Sequence, residues 1–216
     1  MTVLATPPLA ADAERDVQLA AKPVRRAVIP QAARVIDFGR PLTAEEFARM
    51  PETLGKQELV DGRVIEMPPV GMGHGKRQVQ FASLLSAWNG EHKLGEVMVE
   101  TGFILAREPD LTRGPDISFI RRETIPPDQN EDDFVEAVPE FVVEVVSKRD
   151  RPGELETKAE EYLAFGVKMV VVVNRQSRQL TIYRPETEPV VLKADQAFDG
   201  GDVLPGFSCK VSDIVG

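Results

Sequence analysis

The sequence predicts an α/β fold, in which a β-sheet is flanked by helices, and two observations support this prediction. Apolar stretches typical of strands cover residues 141–146 and 167–173, and a helical pattern between them runs over residues 153–165 and ends at Gly166. Strands separated by a helix are expected to be parallel neighbours joined by a right-handed crossover. The second stretch contains four consecutive valines, residues 170–173, so this strand should be buried on both faces.

The first 40 residues are predicted to form a flexible extension, followed by a single domain over residues 41–216. The extension is rich in alanine, proline and arginine, and its prolines interrupt every apolar piece, so no long element is expected there. Charged residues from Asp12 to Asp16 interrupt the apolar N-terminal segment, which argues against a secretory signal.

Two local motifs open the domain. Thr43 and Glu46 have the spacing of a capping box, which predicts a short helix from Thr43 to about Met50. Residues 58–67 have the pattern of two short strands around Asp61-Gly62, a pair that tolerates the positive φ of tight turns. The sequence therefore predicts an N-terminal β-hairpin.

A helix and several further strands follow the hairpin. Apolar residues from Val79 to Trp88 recur at helical spacing, which predicts a helix over residues 75–88. Residues 97–105 and 116–120 are predicted to be extended, because they are rich in β-branched side chains. Residues 181–183 and the end of the chain are expected to add short edge elements.

Composition excludes several classes of protein. The 216 residues carry 26 Lys plus Arg against 35 Asp plus Glu, a net charge of -9, which does not suit a protein that binds nucleic acid through bulk positive charge. No run approaches the roughly 18 apolar residues that a membrane helix needs. A single cysteine, Cys209, rules out an intrachain disulfide and suggests the reducing cytoplasm. With only two histidines, carboxylates are the plentiful ligands, and they favour Mg²⁺ or Mn²⁺.

Two acidic residues occupy positions where the pattern asks for hydrophobic ones. Glu144 shares a strand face with Val142 and Val146, and Asp116 opens an apolar strand directly after Pro115. Each has an ordinary explanation: Glu144 could meet an arginine or solvent at a strand end, and Asp116 could belong to a turn. Together, on adjacent strands, the two carboxylates could share one hard cation.

A third feature lies on the helix that follows Glu144. Glu154, Lys158 and Tyr162 are four residues apart, so they form one stripe along the helix. The stripe could be an exposed Glu154–Lys158 ion pair worth only about 0.3–0.5 kcal/mol. Alternatively it faces the two acids, with Lys158 supplying a positive charge next to a metal.

The ordered set of motifs resembles the PD-(D/E)XK nuclease superfamily and, within it, the bacterial restriction endonuclease-like family sometimes called the Uma-two family. The resemblance covers about residues 41–216 and implies a restriction endonuclease-like fold, a mixed β-sheet flanked by helices. The motifs are Leu42-Thr43-Ala44-Glu45-Glu46-Phe47, Glu58-Leu59-Val60-Asp61-Gly62, Pro115-Asp116, Glu144-Val145-Val146-Ser147, Lys158 with Tyr162, and Leu204-Pro205-Gly206-Phe207.

The resemblance also implies the site. Asp116 and Glu144 would be metal ligands, with the backbone carbonyl of Val145 as a third, and the metal would be Mg²⁺ with Mn²⁺ as a substitute. The superfamily lysine is missing two residues after the glutamate, where Val146 stands, and Lys158 on the next helix is the position that matches in the family.

Glu58 would be an accessory acid near the metal, although an ordinary exposed strand residue is an equal alternative. The loop over residues 148–151 is more basic than the family pattern, which would help to hold a phosphate backbone.

The implied activity is metal-dependent hydrolysis of nucleic-acid phosphodiester bonds, with DNA as the expected substrate. Cutting both strands would favour a homodimer, although the sequence carries no interface pattern. Two alternatives stay open: a catalytically inactive nuclease-fold protein that binds nucleic acid or regulates, and a carboxylate–metal hydrolase with another substrate.

Overall fold

The computed structural model describes residues 27–51, 55–151 and 153–216, which form three sheets and four helices. In chain order the elements are β1 (Arg34–Ile36), α1 (Ala44–Ala48), β2 (Lys56–Val60), β3 (Arg63–Met67), α2 (Met72–His92), β4 (Gly95–Val99), β5 (Phe103–Ala106), β6 (Leu111–Arg113), β7 (Ile117–Arg121), β8 (Phe141–Val145), α3 (Glu154–Ala164), β9 (Met169–Asn174), β10 (Gln179–Tyr183), β11 (Val190–Lys193), β12 (Ala197–Asp199), β13 (Ser208–Lys210) and α4 (Val211–Val215).

The central sheet is mixed and has six strands in the order β11–β10–β9–β8–β7–β4. β8 and β9 pair in parallel and α3 connects them, which confirms the predicted strand–helix–strand unit. The other pairs in this sheet are antiparallel. The predicted stretch over residues 181–183 lies in β10, which has a neighbour on each side and is therefore not an edge strand.

Helices cover both faces of the central sheet. On one face, Phe81, Leu85 and Trp88 of α2 pack into the same apolar cluster as Val143 and Val145 of β8. On the other face, Ala159 and Tyr162 of α3 pack against Val142 and Val170. Alternation along β8 thus points Glu144 toward α3, as its position beside Val142 predicted.

The helix predicted over residues 75–88 is longer than expected, since α2 covers Met72–His92. Its buried face also differs from the predicted one in one residue. Val79 is 66% exposed, whereas Phe81, Leu85 and Trp88 are buried. The buried face of α2 therefore consists of the residues that contact the central sheet, and Val79 lies outside it.

A second, antiparallel sheet has five strands in the order β1–β3–β2–β6–β5. Its β2–β3 hairpin confirms the predicted one, with Asp61 at φ 51° and Gly62 at φ 70°. A Cβ on Gly62 would lie 2.6 Å from the Cβ of Pro41, so the turn requires glycine for both conformation and space. Val60 and Ile65 of the hairpin join the apolar cluster that contains Tyr162 of α3. The second sheet therefore closes over the α3 side of the central sheet.

The short predicted helix is present as α1, and its capping box is complete: Thr43 Oγ1 accepts from Glu46 N–H and the Glu46 carboxylate accepts from Thr43 N–H. The predicted stretch over residues 97–105 is not one strand, because β4 and β5 belong to different sheets. The end of the chain adds the two-stranded sheet β12–β13 and α4. Within residues 27–51, 55–151 and 153–216, each helix is too short or too polar to span a bilayer.

The predicted flexible extension includes residues that the structure places in the domain. β1 pairs with β3, with Val35 opposite Ile65, because its β-branched residues extend the edge that the hairpin offers. The expectation of a structureless extension is therefore wrong for residues 34–36. Residues 1–26 lie outside the described residues, and for them the extension stays a prediction.

Candidate active site

Asp116 and Glu144 face each other where β7 begins and β8 ends. The β7–β8 register pairs Ile117 with Val143, and continuing it by one residue places Asp116 opposite Glu144. Directly opposed residues on one face of a sheet have Cβ atoms about 4.5–5.5 Å apart. Both side chains are buried, each with 4% of its surface exposed. The structure thus brings together the two acids that the sequence singled out.

Asp116 is held as an anion. Its Oδ2 accepts a hydrogen bond from the backbone N–H of Val145 at 2.7 Å, and its Oδ1 lies 3.0 Å from Nζ of Lys56. His74 Nε2 lies 3.2 Å from Oδ2. Burial alone would raise the pKa of Asp116, but Lys56 and His74 hold that pKa well below its ordinary value.

Glu144 is in a different electrostatic position. Its Oε1 accepts from the Tyr162 hydroxyl at 2.9 Å and lies 2.9 Å from Nζ of Lys158. Burial raises the pKa of Glu144, Lys158 opposes that rise, and the negative charge of Asp116 adds to it, so the net shift is upward. The two opposed acids therefore have pKa values displaced in opposite directions.

Lys158 lies between two acids and is buried, with 5% of its surface exposed. Its Nζ is 2.9 Å from Glu144 Oε1 and 3.1 Å from Glu58 Oε1. Burial lowers the pKa of Lys158, and the two carboxylates outweigh that effect, so the lysine is held as a cation. The ammonium of Lys158 therefore faces Glu144 and Glu58 rather than solvent.

The alternative of an exposed Glu154–Lys158 ion pair is not what the structure shows. Glu154 Oε1 accepts from the backbone N–H of Gln31 at 2.9 Å, and its Oε2 accepts from that of Arg151 at 3.0 Å. The Glu154 end of the stripe therefore fixes backbone segments, while Lys158 and Tyr162 form the part that faces the acids.

Glu58 is fully buried, so its interpretation as an exposed strand residue is wrong. Continuing the β2–β6 register by one residue places it opposite Arg113, whose Nη1 lies 2.6 Å from Glu58 Oε2. Burial raises the pKa of Glu58, but Lys158 and Arg113 outweigh burial and lower that pKa to about 2. Arg113 in turn contacts Glu161 at 2.7 Å. Glu58 thus links the hairpin to Lys158 and belongs to the charged cluster.

Beside Asp116 lies a second group of polar side chains. Lys56 Nζ is 2.9 Å from Glu100 Oε2 as well as 3.0 Å from Asp116 Oδ1. Gln78 donates to Glu100 Oε1 and to the backbone carbonyl of Asp116, both at 2.9 Å. Glu100 directly follows β4 with φ 53°, a conformation that is uncommon for a glutamate.

The loop after β8 is ordered by its own side chains. Asp150 accepts from the Ser147 N–H at 2.6 Å and from the Ser147 hydroxyl at 2.9 Å. Lys148 and Arg149 are exposed on this loop. The predicted basic loop therefore presents exposed positive charges close to the end of the strand that carries Glu144.

Sequence reasoning did not find Lys56, His74, Glu100 or Arg113. Lys56 and Arg113 lie in strands where a single basic residue is ordinary on an exposed face, so no pattern marks either of them as part of the site. His74 gave one weak signal, a lone histidine in a glycine-rich helix start. The chain has only two histidines, and this count argued against a histidine-rich site without indicating that one of them lies beside Asp116.

Comparison with known proteins identifies the family. A family model described as "Putative restriction endonuclease" (Uma2) matches residues 44–212. A solved structure described as a putative nuclease belonging to DUF820, from Anabaena variabilis ATCC 29413, superposes with a TM-score of 0.69 at 20% identity, covering 81% of this chain and 98% of that chain. At this identity the likeness shows the fold alone. No protein with a curated description matches the chain. The predicted resemblance is confirmed: the chain shares the fold of the DUF820 protein and belongs to the Uma2 family.

Proposed function

We propose that this protein is a divalent-metal-dependent endonuclease that hydrolyses phosphodiester bonds of nucleic acid, with DNA as the substrate. The observation that carries the proposal is the buried pair Asp116 and Glu144 on opposed strands, with the ammonium of Lys158 2.9 Å from Glu144. Membership in the family described as "Putative restriction endonuclease" supports a nuclease.

The site residues fit a hard divalent cation. Asp116, Glu144 and the backbone carbonyl of Val145 would hold it, and oxygen donors of this kind suit Mg²⁺ and Mn²⁺. Burial and the negative charge of Asp116 both raise the pKa of Glu144, and a bound cation would offset these two effects. When bound, a divalent cation would lower the pKa of a coordinated water and stabilise the charge that develops on the phosphate.

Lys158 acts in this proposal as a fixed positive charge. Because its pKa is raised, the amine is protonated near neutral pH and cannot take a proton from water in this state. It can donate hydrogen bonds to an attacking water or to a phosphate oxygen, and it offsets negative charge in the transition state. The protein's own contribution is thus positioning and charge stabilisation.

The remaining charged residues support Lys158 and the substrate. Glu58 fixes the ammonium from the hairpin side, and Arg113 keeps Glu58 ionised. Lys148 and Arg149 lie on the adjoining loop, where they would contact the phosphate backbone and offset locally the net charge of -9.

The test is nicking of supercoiled plasmid with Mg²⁺ or Mn²⁺, using the full chain and the variants Asp116→Asn, Glu144→Gln and Lys158→Met. Lys168→Met is the matched control. Lys168 is exposed, and its backbone N–H donates a hydrogen bond to the backbone carbonyl of Glu140. It therefore lies near the end of the parallel strands β8 and β9 that is opposite to Glu144. We expect metal-dependent nicking that the site variants lose and the control keeps.

The outcomes separate the alternatives. DNA binding without cleavage in any metal would favour an inactive nuclease-fold binding protein, and neither binding nor cleavage would favour a different substrate. Equal loss of activity in the control and in the site variants would contradict the assignment of the site. Linear product formed in one step, together with a mass of two chains in solution, would support a homodimer that cuts both strands.

A further inference from the structure

His74 is a buried imidazole without a hydrogen bond. It opens α2, is 9% exposed, and neither of its ring nitrogens has a hydrogen-bond partner among the described residues. Its Nε2 is directed at the carboxylate of Asp116, 3.2 Å from Oδ2. Buried polar groups are almost always satisfied, so an imidazole without a hydrogen bond next to a carboxylate suggests that a ligand binds beside them.

Glu100 completes a set of three donors around that position. One ligand atom each from His74, Glu100 and Asp116 lies within 4.8 Å of the others. Gln78 is four residues from His74 on the same face of α2, and it fixes Glu100 Oε1 through a 2.9 Å hydrogen bond. The donors therefore come from three elements that are already held in place.

A cation is already present at this position, in the form of the Lys56 ammonium. Its Nζ lies 2.9 Å from Glu100 Oε2 and 3.0 Å from Asp116 Oδ1. Its side chain is 22% exposed, so the flexible stem can swing outward without crossing the core. A metal ion could thus replace the ammonium at the two carboxylates and gain the imidazole as a further ligand.

We propose that His74, Glu100 and Asp116 form a second divalent-cation site, which shares Asp116 with the first and prefers Mn²⁺, Co²⁺ or Ni²⁺ to Mg²⁺. The preference follows from the imidazole, which is a good ligand for transition metals, whereas Mg²⁺ favours oxygen donors and water. The inference rests on the proposed function for its neighbouring site, since two metals sharing one carboxylate is an arrangement that suits phosphodiester hydrolysis.

Mn²⁺ reports directly on imidazole ligation. Pulsed EPR of the Mn²⁺-loaded full chain should show ¹⁴N modulation from a directly bound imidazole. His74→Gln should abolish it, and His92→Gln should keep it. His92 is the matched control because it is the other histidine and lies about 27 Å along the same helix, given the 1.5 Å rise per residue.

Stoichiometry provides the second readout. Calorimetric titration should give two Mn²⁺ per chain for the unaltered protein and for His92→Gln, and one for His74→Gln. Glu100→Gln, at a more exposed position, should lower the second affinity without unfolding the domain. Lys56→Met should tighten the second site, because the competing ammonium is gone. Excess Mg²⁺ should displace one Mn²⁺ and leave the one that carries the ¹⁴N modulation.

Two results would overturn the inference: a single Mn²⁺ per chain, or ¹⁴N modulation that is absent or survives His74→Gln. If plasmid nicking with Mg²⁺ persists in that case, the proposed function stands and the second site falls. If two Mn²⁺ bind with the expected modulation and no nucleic acid is cut, the second site stands and the proposed function falls.

Discussion

Acidic and basic side chains alternate through the interior of this protein. Glu161 contacts Arg113, Arg113 contacts Glu58, and Lys158 joins Glu58 to Glu144. Removing one member of a buried ion pair leaves an uncompensated charge, which costs more than the pair contributes when intact. Replacing any residue of this charged cluster is therefore expected to change stability as well as activity. Whether stability rises or falls depends on the charges around that residue.

Neutralising Asp116 and neutralising Glu144 should have different effects on the stability of the metal-free protein. Charge repulsion alone would make both Asp116→Asn and Glu144→Gln neutral or stabilising. Asp116, however, has its pKa lowered by Lys56, so Asp116→Asn should reduce the free energy of unfolding. Glu144 has a raised pKa, so Glu144→Gln should cost little or stabilise. Thermal melts in EDTA measure the difference, and a larger loss for Glu144→Gln would contradict it.

Both variants should weaken Mn²⁺ binding, because each removes a charged ligand. Calorimetric titration checks this expectation separately from the melts. Unchanged affinity in both variants would remove Asp116 and Glu144 from the metal site.

Lys158→Met should lower both stability and activity. Without its ammonium, Glu58 and Glu144 are two buried acids that lose a shared counterion, and breaking such a pair costs about 3–5 kcal/mol unless an acid takes up a proton. Cleavage should slow by roughly 10²-fold or more, the scale of losing a transition-state charge. Urea denaturation and single-turnover nicking measure the two effects.

One further variant completes the Lys158 experiment. Adding Glu144→Gln to Lys158→Met should recover part of the stability and none of the activity. Full activity in the single variant would mean that the site has no functional lysine at this position.

Glu58 should make stability depend on acid. Its pKa in the folded protein is about 2, below the ordinary 4.5, so its contribution is complete above pH 4.5 and is lost as pH falls toward 2. A shift of this size corresponds to something on the order of 3 kcal/mol. The stability difference between the protein and Glu58→Gln should therefore be largest at pH 7 and shrink in acid. Urea denaturation across this range measures it, and a constant difference would contradict the assignment.

At the scale of elements, the sequence predicted features that are encoded within short stretches better than features that depend on distant strand pairing. The β2–β3 hairpin, α1 with its cap, and the β8–α3–β9 unit are encoded within short stretches, and the sequence predicted all three. The separation of residues 97–105 into strands of two different sheets depends on partners far along the chain. Periodicity carries no information about such partners, so that division could not be predicted.

The same distinction applies to the candidate site. Asp116, Glu144 and Lys158 were predictable because they interrupt an apolar pattern or continue a helical stripe. Lys56 and Arg113 act from the second sheet, and their contacts with Asp116 and Glu58 arise only through tertiary packing. A residue whose role comes from tertiary packing has no local signal in the sequence.

Two glycine substitutions test whether the hairpin turn requires glycine, one in the turn and one in a helix. Gly62→Ala should destabilise by at least about 1 kcal/mol, because alanine disfavours φ 70° and its Cβ would approach Pro41. Gly90→Ala is the matched control. Gly90 lies in α2 with nothing within 4 Å of the added Cβ, so the change should stabilise by up to about 1 kcal/mol. Thermal melts compare them, and equal effects would show that the turn does not restrict residue 62.

At the scale of the whole molecule, the two sheets meet around the charged cluster, and the segment before β1 closes one side of it. Val28 donates its backbone N–H to Glu161 at 2.7 Å and accepts from Arg113 Nη2 at 2.7 Å. Ala27 is buried in the apolar cluster that contains Tyr162. Residues that composition assigned to a flexible extension thus contact the helix that carries Lys158.

Two truncations should therefore behave differently. A chain that starts at Ala27 should keep its stability, since composition predicts few contacts for residues 1–26. A chain that starts at Asp37 loses β1 and the hydrogen bonds of Val28 to two buried charged residues, so its free energy of unfolding should fall by about 2 kcal/mol or more.

Activity should follow stability in the truncated chains, because Arg113 holds Glu58 and Glu58 holds Lys158. Urea denaturation and metal-dependent nicking of both truncated chains measure the effect, with the full chain as reference. If the chain starting at Asp37 is as stable and active as the one starting at Ala27, the contacts of Val28 do not position the site. The alternating charges would then hold Lys158 in place without help from the N-terminal segment.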